Sequence, residues 1–302
     1  MAVAGQAGEA GLIPTTDRFG TALSDIVRCA GCGHMQLREF PADAVLAEAY
    51  ADAESGDYVE EESGQRETAR RLLARIERWR TPPGAFLDLG CWVGFMPDEA
   101  RRRGWEPVGV EPSIFASGYA RERLGLDVRR EPLLEADLPE GGFDAVFLGD
   151  VIEHLPDADA ALRRAGELLA SGGVLAMALP DAGSRVARLL GRRWWSVIPT
   201  HVHYFTRFSM EVLLRRSGFE LLEVGTAPKA FTVGYYLERV EGYSPALSRS
   251  LVRAAGAAGL AGRMWAPDFR DRMLVIARPA HSAAGDAVER EAVAAHDRAQ
   301  SG

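Results

Sequence analysis

From about residue 85 onward the chain alternates short apolar runs with amphipathic stretches. The segments "AFLDL", "PVGVE", "FDAVFLGD", "VLAMALP", "FELLEVGT" and "RMLVIARP" (residues 272–279) read as strands. Between them "FMPDEARRRG", "SIFASGYARERLG", "DADAALRRAGELLASGG" and "FSMEVLLRRSG" read as helices. Apolar runs separated in this way predict an α/β fold, a parallel sheet covered on both faces. Ahead of it, residues 64–80 set Leu72, Leu73, Ile76 and Trp79 on one helical face, and "TPPG" ends that helix. Residues 228–270, between the last two strands, keep a helical pattern rich in Tyr, Ala and Leu and read as an insertion. The division expected is an N-terminal extension over 1–80, the α/β domain over 81–280 and a flexible tail over 281–302.

Charge and composition narrow the partners. With 43 acidic against 35 basic residues the chain carries a net charge of −8, which disfavours nucleic acid. No apolar run approaches the roughly 18 residues that span a bilayer. The start "MAVAGQAGEAGLIP" has no basic region followed by an apolar core, and three cysteines cannot build a disulfide framework. The expectation is a soluble, cytoplasmic protein with no membrane partner, acting on a small molecule, with a homodimer left open.

Candidate chemistry begins where the first core strand ends. Ligands of open α/β sheets bind beyond the carboxyl ends of the strands. There the chain reads Asp88-Leu89-Gly90-Cys91-Trp92-Val93-Gly94, and the next strand ends in Glu111, 23 residues after Asp88. An acidic side chain so placed accepts hydrogen bonds from ribose hydroxyls. The glycine spacing departs from G-x-G-x-x-G, so a nicotinamide dinucleotide fits poorly.

Over roughly residues 85–225 the chain resembles the class I S-adenosylmethionine-dependent methyltransferases. "LDLGCWVG" matches the first motif except at its middle glycine, "VGVEP" the second-strand motif, "GGFDAVFLGDVIEHLPD" the fourth-strand motif and "LLASGGVLAMALPD" the fifth. The resemblance implies a Rossmann-like, seven-stranded sheet, mostly parallel with the last strand antiparallel, and S-adenosyl-L-methionine as cofactor. It implies that Asp88, Gly90, Cys91, Trp92 and Gly94 form the cofactor turn and that Glu111 with Pro112 holds the ribose. Pro132 and Leu133, after Glu131, would flank the adenine, and Gly149 with Asp150 would lie under the methionine moiety. Cys91 also reads as a small buried hydrophobe. Three readings of Trp92 stay open: it stacks on the cofactor, walls the acceptor pocket, or marks a site that no longer binds.

Two loops beyond the cofactor motifs supply acceptor-side candidates. "DVIEHL" carries Glu153 and His154. It is similar to the E-x-x-E-H pattern associated with a divalent metal in benzoquinone-type O-methyltransferases, with Asp150 in first place. The expectation is nonetheless no metal, with both residues shaping the pocket floor. The stretch 191–219 holds His201, His203, Tyr204 and Phe205 after the pair Trp194 and Trp195, which read equally as core or lid. It resembles the E-H-x-x-Y-F-S segment of bacterial sugar and small-molecule methyltransferases, in which the histidine removes a proton. His201 matches that histidine, and Thr200 stands in place of the glutamate. The resemblance implies His201 as general base with Glu153, His154 and Tyr204 positioning a hydroxylated acceptor; packing and capping by His201 and Tyr204 is the alternative. "VRCAGCGHMQL" resembles half of a zinc ribbon, but without a second cysteine pair Cys29, Cys32 and His34 are expected to form a metal-free knuckle. Tyr50 and Tyr58 resemble aromatic positions that close the cofactor site. A non-catalytic cofactor-binding partner protein is the other function class.

Overall fold

The computed structural model describes residues 20–42, 59 and 61–280. The expected tail over 281–302 and the candidates Tyr50 and Tyr58 lie outside the described residues. The core sheet is built from β3 (Ala85–Leu89), β4 (Glu106–Val110), β5 (Asp127–Arg129), β6 (Phe143–Gly149), β7 (Leu169–Pro180), β9 (Phe219–Thr226) and β12 (Arg272–Pro279). Its order is β5-β4-β3-β6-β7-β12-β9, with β12 antiparallel to both β7 and β9 and the pairings from β5 to β7 parallel. This is the seven-stranded arrangement that the resemblance implies.

Alternation along the strands divides the core into two layers. Leu87, Leu89, Val146, Leu148, Leu175 and Met177 face one cluster, while Phe86, Ala145, Phe147, Val174 and Ala176 face the other. Helices α2 (Phe95–Arg102), α3 (Ile114–Leu124) and α4 (Ala158–Leu168) connect the parallel strands, as right-handed crossovers require. Strand β7 begins at Leu169, five residues before the expected "VLAMALP". Of its extra residues Leu169 pairs with Phe143 of β6, and Ala170-Ser171-Gly172-Gly173 fall in the register shift before Val174 pairs with Ala145.

Helix α1 (Glu62–Ile76) packs on the core, although it was placed in the N-terminal extension. Leu73 and Ile76 are fully buried, and the buried Arg66 guanidinium clamps α1 to α2 through Asp98 at 2.7 Å and Glu99 at 3.0 Å. Removing one partner of such a buried pair typically costs about 3–5 kcal/mol. Trp79 departs from expectation. It follows the end of α1, stays 42% exposed and donates its indole N–H to Glu223 at 2.9 Å.

A small second sheet joins distant parts of the chain. Strands β1 (Ile26–Arg28) and β2 (Met35–Leu37) form a hairpin, and β8 (His203–Tyr204) pairs with β2. Leu37 is fully buried, in a cluster with Ile26, Trp194, Val197, Val202 and Tyr204. The N-terminal hairpin is therefore the support of the histidine loop that follows β7 and helix α5 (Arg185–Leu190). Helix α6 (Arg207–Arg216) leads from β8 into β9. The insertion consists of β10 (Phe231–Thr232), α7 (Val233–Glu238), α8 (Pro245–Ala257) and β11 (Met264–Trp265), with β10 paired to β11.

Candidate active site

The turn after β3 is shaped by backbone geometry. Gly90 and Gly94 adopt φ of 82° and 86°, and Trp92 between them adopts 48°. A Cβ at Gly90 would lie 2.5 Å from Val151 Cγ2, and one at Gly94 would lie 2.7 Å from Leu126 Cδ1. The outer glycines thus answer to positive φ and to packing within the fold. Trp92 meets a different environment: its side chain packs against the cluster of Val93, Phe95 and Ala116. Its backbone N–H donates to Glu111 Oε2 at 2.9 Å, while Glu111 Oε1 accepts from Ser113 N–H at 2.8 Å. One carboxylate therefore pins the left-handed residue of the turn and the start of α3, which carries a Ser113 N-cap.

Two buried carboxyl groups face this turn. Burial, and then the charge of Glu111, push the Asp88 pKa well above the ordinary carboxylate range. Burial raises Glu111 to about 7, against the opposing bonds from Ser113 and Trp92. Carboxyls held in this state favour a ligand that brings positive charge or hydrogen-bond donors. A sulfonium, an ammonium and ribose hydroxyls, the groups of S-adenosylmethionine, meet that demand. Cys91, expected among the cofactor residues, sends its thiol into a cluster with Ala120, Leu126 and Val128, where a Cβ on Gly109 would come within 2.6 Å of Sγ. Only its backbone belongs to the turn. Pro112 and Leu133 are half-buried and Pro132 is exposed, with Leu133 Cδ2 lying 3.7 Å from where a Gly90 Cβ would stand.

Beyond β6 the chain turns sharply through Gly149 and Asp150, the latter at φ 56°, into a short 3-10 turn over Ile152–His154. Asp150 is paired with Lys229 Nζ at 2.8 Å and Arg272 Nη1 at 2.7 Å. Although burial opposes ionisation there, those two cations hold its carboxyl well below the usual range. Glu153 is 1% exposed, and neither carboxylate oxygen finds a partner among the described residues. Burial, and then the Asp150 charge, raise it to about 8.

The two histidines meet from different loops. His154 Nδ1 lies 3.0 Å from the Thr200 carbonyl, His201 Nδ1 lies 2.7 Å from the Ser196 carbonyl, and the ring centroids are 4.5 Å apart. A carbonyl only accepts, so each Nδ1 carries the proton and the neutral tautomer has its lone pair on Nε2. Burial lowers His154 to about 4; burial, followed by His154, takes His201 well below its ordinary value. Tyr204 lies 6.3 Å from His201 between centroids, with its buried hydroxyl, like Thr200 Oγ1, lacking a partner among the described residues. Burial raises the Tyr204 pKa far above its normal value, so it acts only as a neutral hydroxyl. Buried polar atoms in this state are the ones a bound acceptor would satisfy.

Glu153, His154 and His201 each offer one ligand atom, all within 4.8 Å of one another, so this trio also meets the donor requirement of a divalent cation. His34 turns to His203, Nε2 to Nδ1 at 3.1 Å, and joins no metal-binding group with Cys29 and Cys32 among the described residues. Trp194 belongs to the core at 3% exposure, whereas Trp195 donates its indole N–H to Asp271 at 2.7 Å. Sequence reasoning missed Lys229 and Arg272, which reach Asp150 from distant parts of the chain, and Ser196, which acts through its backbone carbonyl and so leaves no signal in residue type.

This sheet order, with a glycine turn after β3 and an acidic residue ending β4, defines the class I S-adenosylmethionine-dependent methyltransferase fold. Residues 62–224, more than half of the chain, match the family described as a methyltransferase domain, and the chain belongs to that family. It is 29% identical over 154 residues to a ubiquinone biosynthesis O-methyltransferase of Azorhizobium caulinodans, covering 46% of this chain and 59% of the relative. It is 32% identical over 134 residues to a trans-aconitate 2-methyltransferase of Afipia carboxidovorans, covering 43% and 51%. The chain thus spans little more than half the length of these curated relatives. One solved structure is a chain from the complex of the Haloferax volcanii Trm112 methyltransferase activator with a methyltransferase. It matches at a TM-score of 0.52 and 15% identity over 73% of this chain and 94% of that one, a likeness of fold alone. Among the described residues no helix is long and apolar enough to cross a membrane.

Proposed function

We propose that the protein transfers the methyl group of S-adenosylmethionine to a hydroxyl oxygen of a small acceptor, with His201 as general base. The observation that carries this reading is the His201 ring, whose Nδ1 is held by the Ser196 carbonyl at 2.7 Å and whose Nε2 is left to accept a proton. The names of the relatives, two kinds of small-molecule methyltransferase, support an acceptor of that size and favour O-methylation.

S-adenosylmethionine supplies an electrophilic methyl group on a sulfonium when bound beside Asp88 and Glu111. The chain's own residues do the rest. Glu153, Tyr204 and Thr200 orient the acceptor, and Nε2 of His201 takes the hydroxyl proton as the oxygen–carbon bond forms and the carbon–sulfur bond breaks. One positive charge leaves sulfur and one appears on imidazole, so the buried site changes no net charge. Burial, followed by the neighbouring His154, lowers the His201 pKa and so favours its neutral, proton-accepting form. General base catalysis contributes about 10²–10⁴ in rate, and alignment of the reacting atoms supplies most of the remainder. His201→Ala should therefore lower turnover by about 10²–10⁴ while leaving S-adenosylhomocysteine binding unchanged. Unchanged turnover would remove the base.

A second reading is favoured by the grouping of Glu153, His154 and His201 within 4.8 Å. In it these three hold a divalent cation that would lower the pKa of the acceptor hydroxyl. Dialysis against a chelator separates the two: the base reading expects full turnover, and the cation reading expects a loss that added Mg²⁺ or Zn²⁺ restores.

A further inference from the structure

Lys229 is the only lysine in the chain; the remaining 34 of its 35 basic residues are arginines. A protein that uses arginine everywhere else has placed its one ammonium against Asp150, at the mouth of the acceptor site. The two groups differ in what they offer a ligand. An ammonium is a compact charge with three donors, whereas a guanidinium presents a fixed planar fork.

Among the described residues Asp150 is the one carboxylate that pairs with this lysine. Lys229 Nζ and Arg272 Nη1 share the single carboxylate of Asp150, at 2.8 Å and 2.7 Å, and neither cation makes another ion pair among the described residues. Arg272 Nε is buried without a hydrogen-bond partner. Glu153, the nearest other carboxyl in the pocket, bonds to neither cation, and Asp271 gives its carboxylate to the Trp195 indole. Two cations on one carboxylate leave unused donors on both for a ligand, with Asp271 and Glu153 the other carboxyl groups facing Arg272. The side chains of Lys229 and Arg272 remain 27% and 16% exposed, so a ligand can reach them.

Asp150 follows β6, next to β3, and its neighbour Val151 packs on the cofactor turn, Cγ2 lying 2.5 Å from where a Gly90 Cβ would stand. Arg272 opens β12 opposite Pro180 of β7 and reaches across to Asp150, so the two cations border the cofactor turn from the acceptor side of the sheet. Lys229 lies between β9 and β10, at the entry to the insertion.

Resting on the methyltransferase reading, we propose that Lys229 and Arg272 recognise a carboxylate carried by the acceptor, making the acceptor class small hydroxylated acids. Asp150 holds both cations in place until that carboxylate arrives. The cofactor carries a carboxylate of its own, and the test must tell the two sources apart.

The unique lysine provides the readout. The full-length protein, saturated with S-adenosylhomocysteine, is acetylated with an N-hydroxysuccinimide ester, and the rate at Lys229 is followed by peptide mass spectrometry, with the α-amino group as internal control. Millimolar citrate and 4-hydroxybenzoate should slow Lys229 acetylation at least fivefold, 4-hydroxybenzamide should not, and the α-amino rate should stay constant. In Arg272→Met the protection by both acids should weaken about tenfold, while the thermal shift produced by S-adenosylhomocysteine persists. Equal effects of the acid and the amide, or no protection by either acid, overturn the proposal. Full protection by S-adenosylhomocysteine alone, with nothing added by the acids, also overturns it by assigning the pair to the cofactor. A missing thermal shift with S-adenosylhomocysteine would fault the methyltransferase reading instead, and acid protection would still be measurable.

Discussion

The cofactor half and the acceptor half of this molecule are built by different means. Between Asp88 and Glu111 the working parts lie within 23 residues, and their hydrogen bonds close locally: Glu111 to Trp92 and Ser113, Gly90 N–H to the Val110 carbonyl. On the acceptor side, His154 is held by Thr200, the His201 loop is braced by residues 35–37 of the N-terminal hairpin, and Asp150 is held by Lys229 and Arg272. A site assembled locally leaves few positions free to change, and Trp92 stands at the one position of the turn between its two glycines where a large residue is accommodated. A site assembled at long range can change partners without disturbing the sheet, which is how one fold serves many acceptors.

The comparison breaks most visibly at the acceptor side. Beyond the loss of turnover set out for His201→Ala, Leu37→Ala removes a fully buried side chain from beneath β8 and should cost about 2–5 kcal/mol of stability. Turnover should fall with it, and the S-adenosylhomocysteine affinity measured by calorimetry at low temperature should hold. Equal losses of both would mean that the halves are coupled.

Gly94→Ala probes the other half. The residue combines φ of 86° with a Cβ position 2.7 Å from Leu126, so the variant should lose about 1–3 kcal/mol in urea unfolding and bind cofactor more weakly. Trp92→Gly should change stability less, because relief of a left-handed φ offsets the lost contacts with Val93, Phe95 and Ala116. An effect on cofactor affinity larger than that of Gly94→Ala would place the indole on the ligand.

The smallest effect concerns pH. Glu111 titrates near 7 when folded against 4.5 for the free group, so the ligand-free fold binds more protons than the unfolded chain between those values. Its stability should therefore decline as pH rises from about 4.5 to 7, and Glu111→Gln should flatten that slope in thermal melts across the window. Bound S-adenosylmethionine, being cationic at sulfur, should also flatten it. A slope unchanged in the variant would show that Glu111 does not titrate in this range.

What the sequence made legible follows the same division. Strand and helix periodicity located six of the seven core strands, down to the limits of β12 at 272–279, but not the three-residue β5, too short to carry a period, and spacing marked Asp88, Gly90, Gly94 and Glu111. His201, Glu153 and His154 were identifiable as residues, but their meeting was not, because 47 positions separate His154 from His201. Cys91 reads from sequence as a small buried hydrophobe and is one, whereas Trp79 departs from its helical face because periodicity says nothing of a partner such as Glu223 beyond the helix end. Lys229 and Arg272 left one visible signal, a lone lysine in a chain of arginines.

The central claim is that the Asp88–Glu111 turn binds S-adenosylmethionine and its product despite Trp92. Titration of the full-length protein with S-adenosylhomocysteine, read by thermal unfolding, tests it directly. Ligand at 100 times its dissociation constant should add about 2.7 kcal/mol to the folded state and raise the melting temperature accordingly. No shift at millimolar ligand, with the protein otherwise folded, would contradict the account.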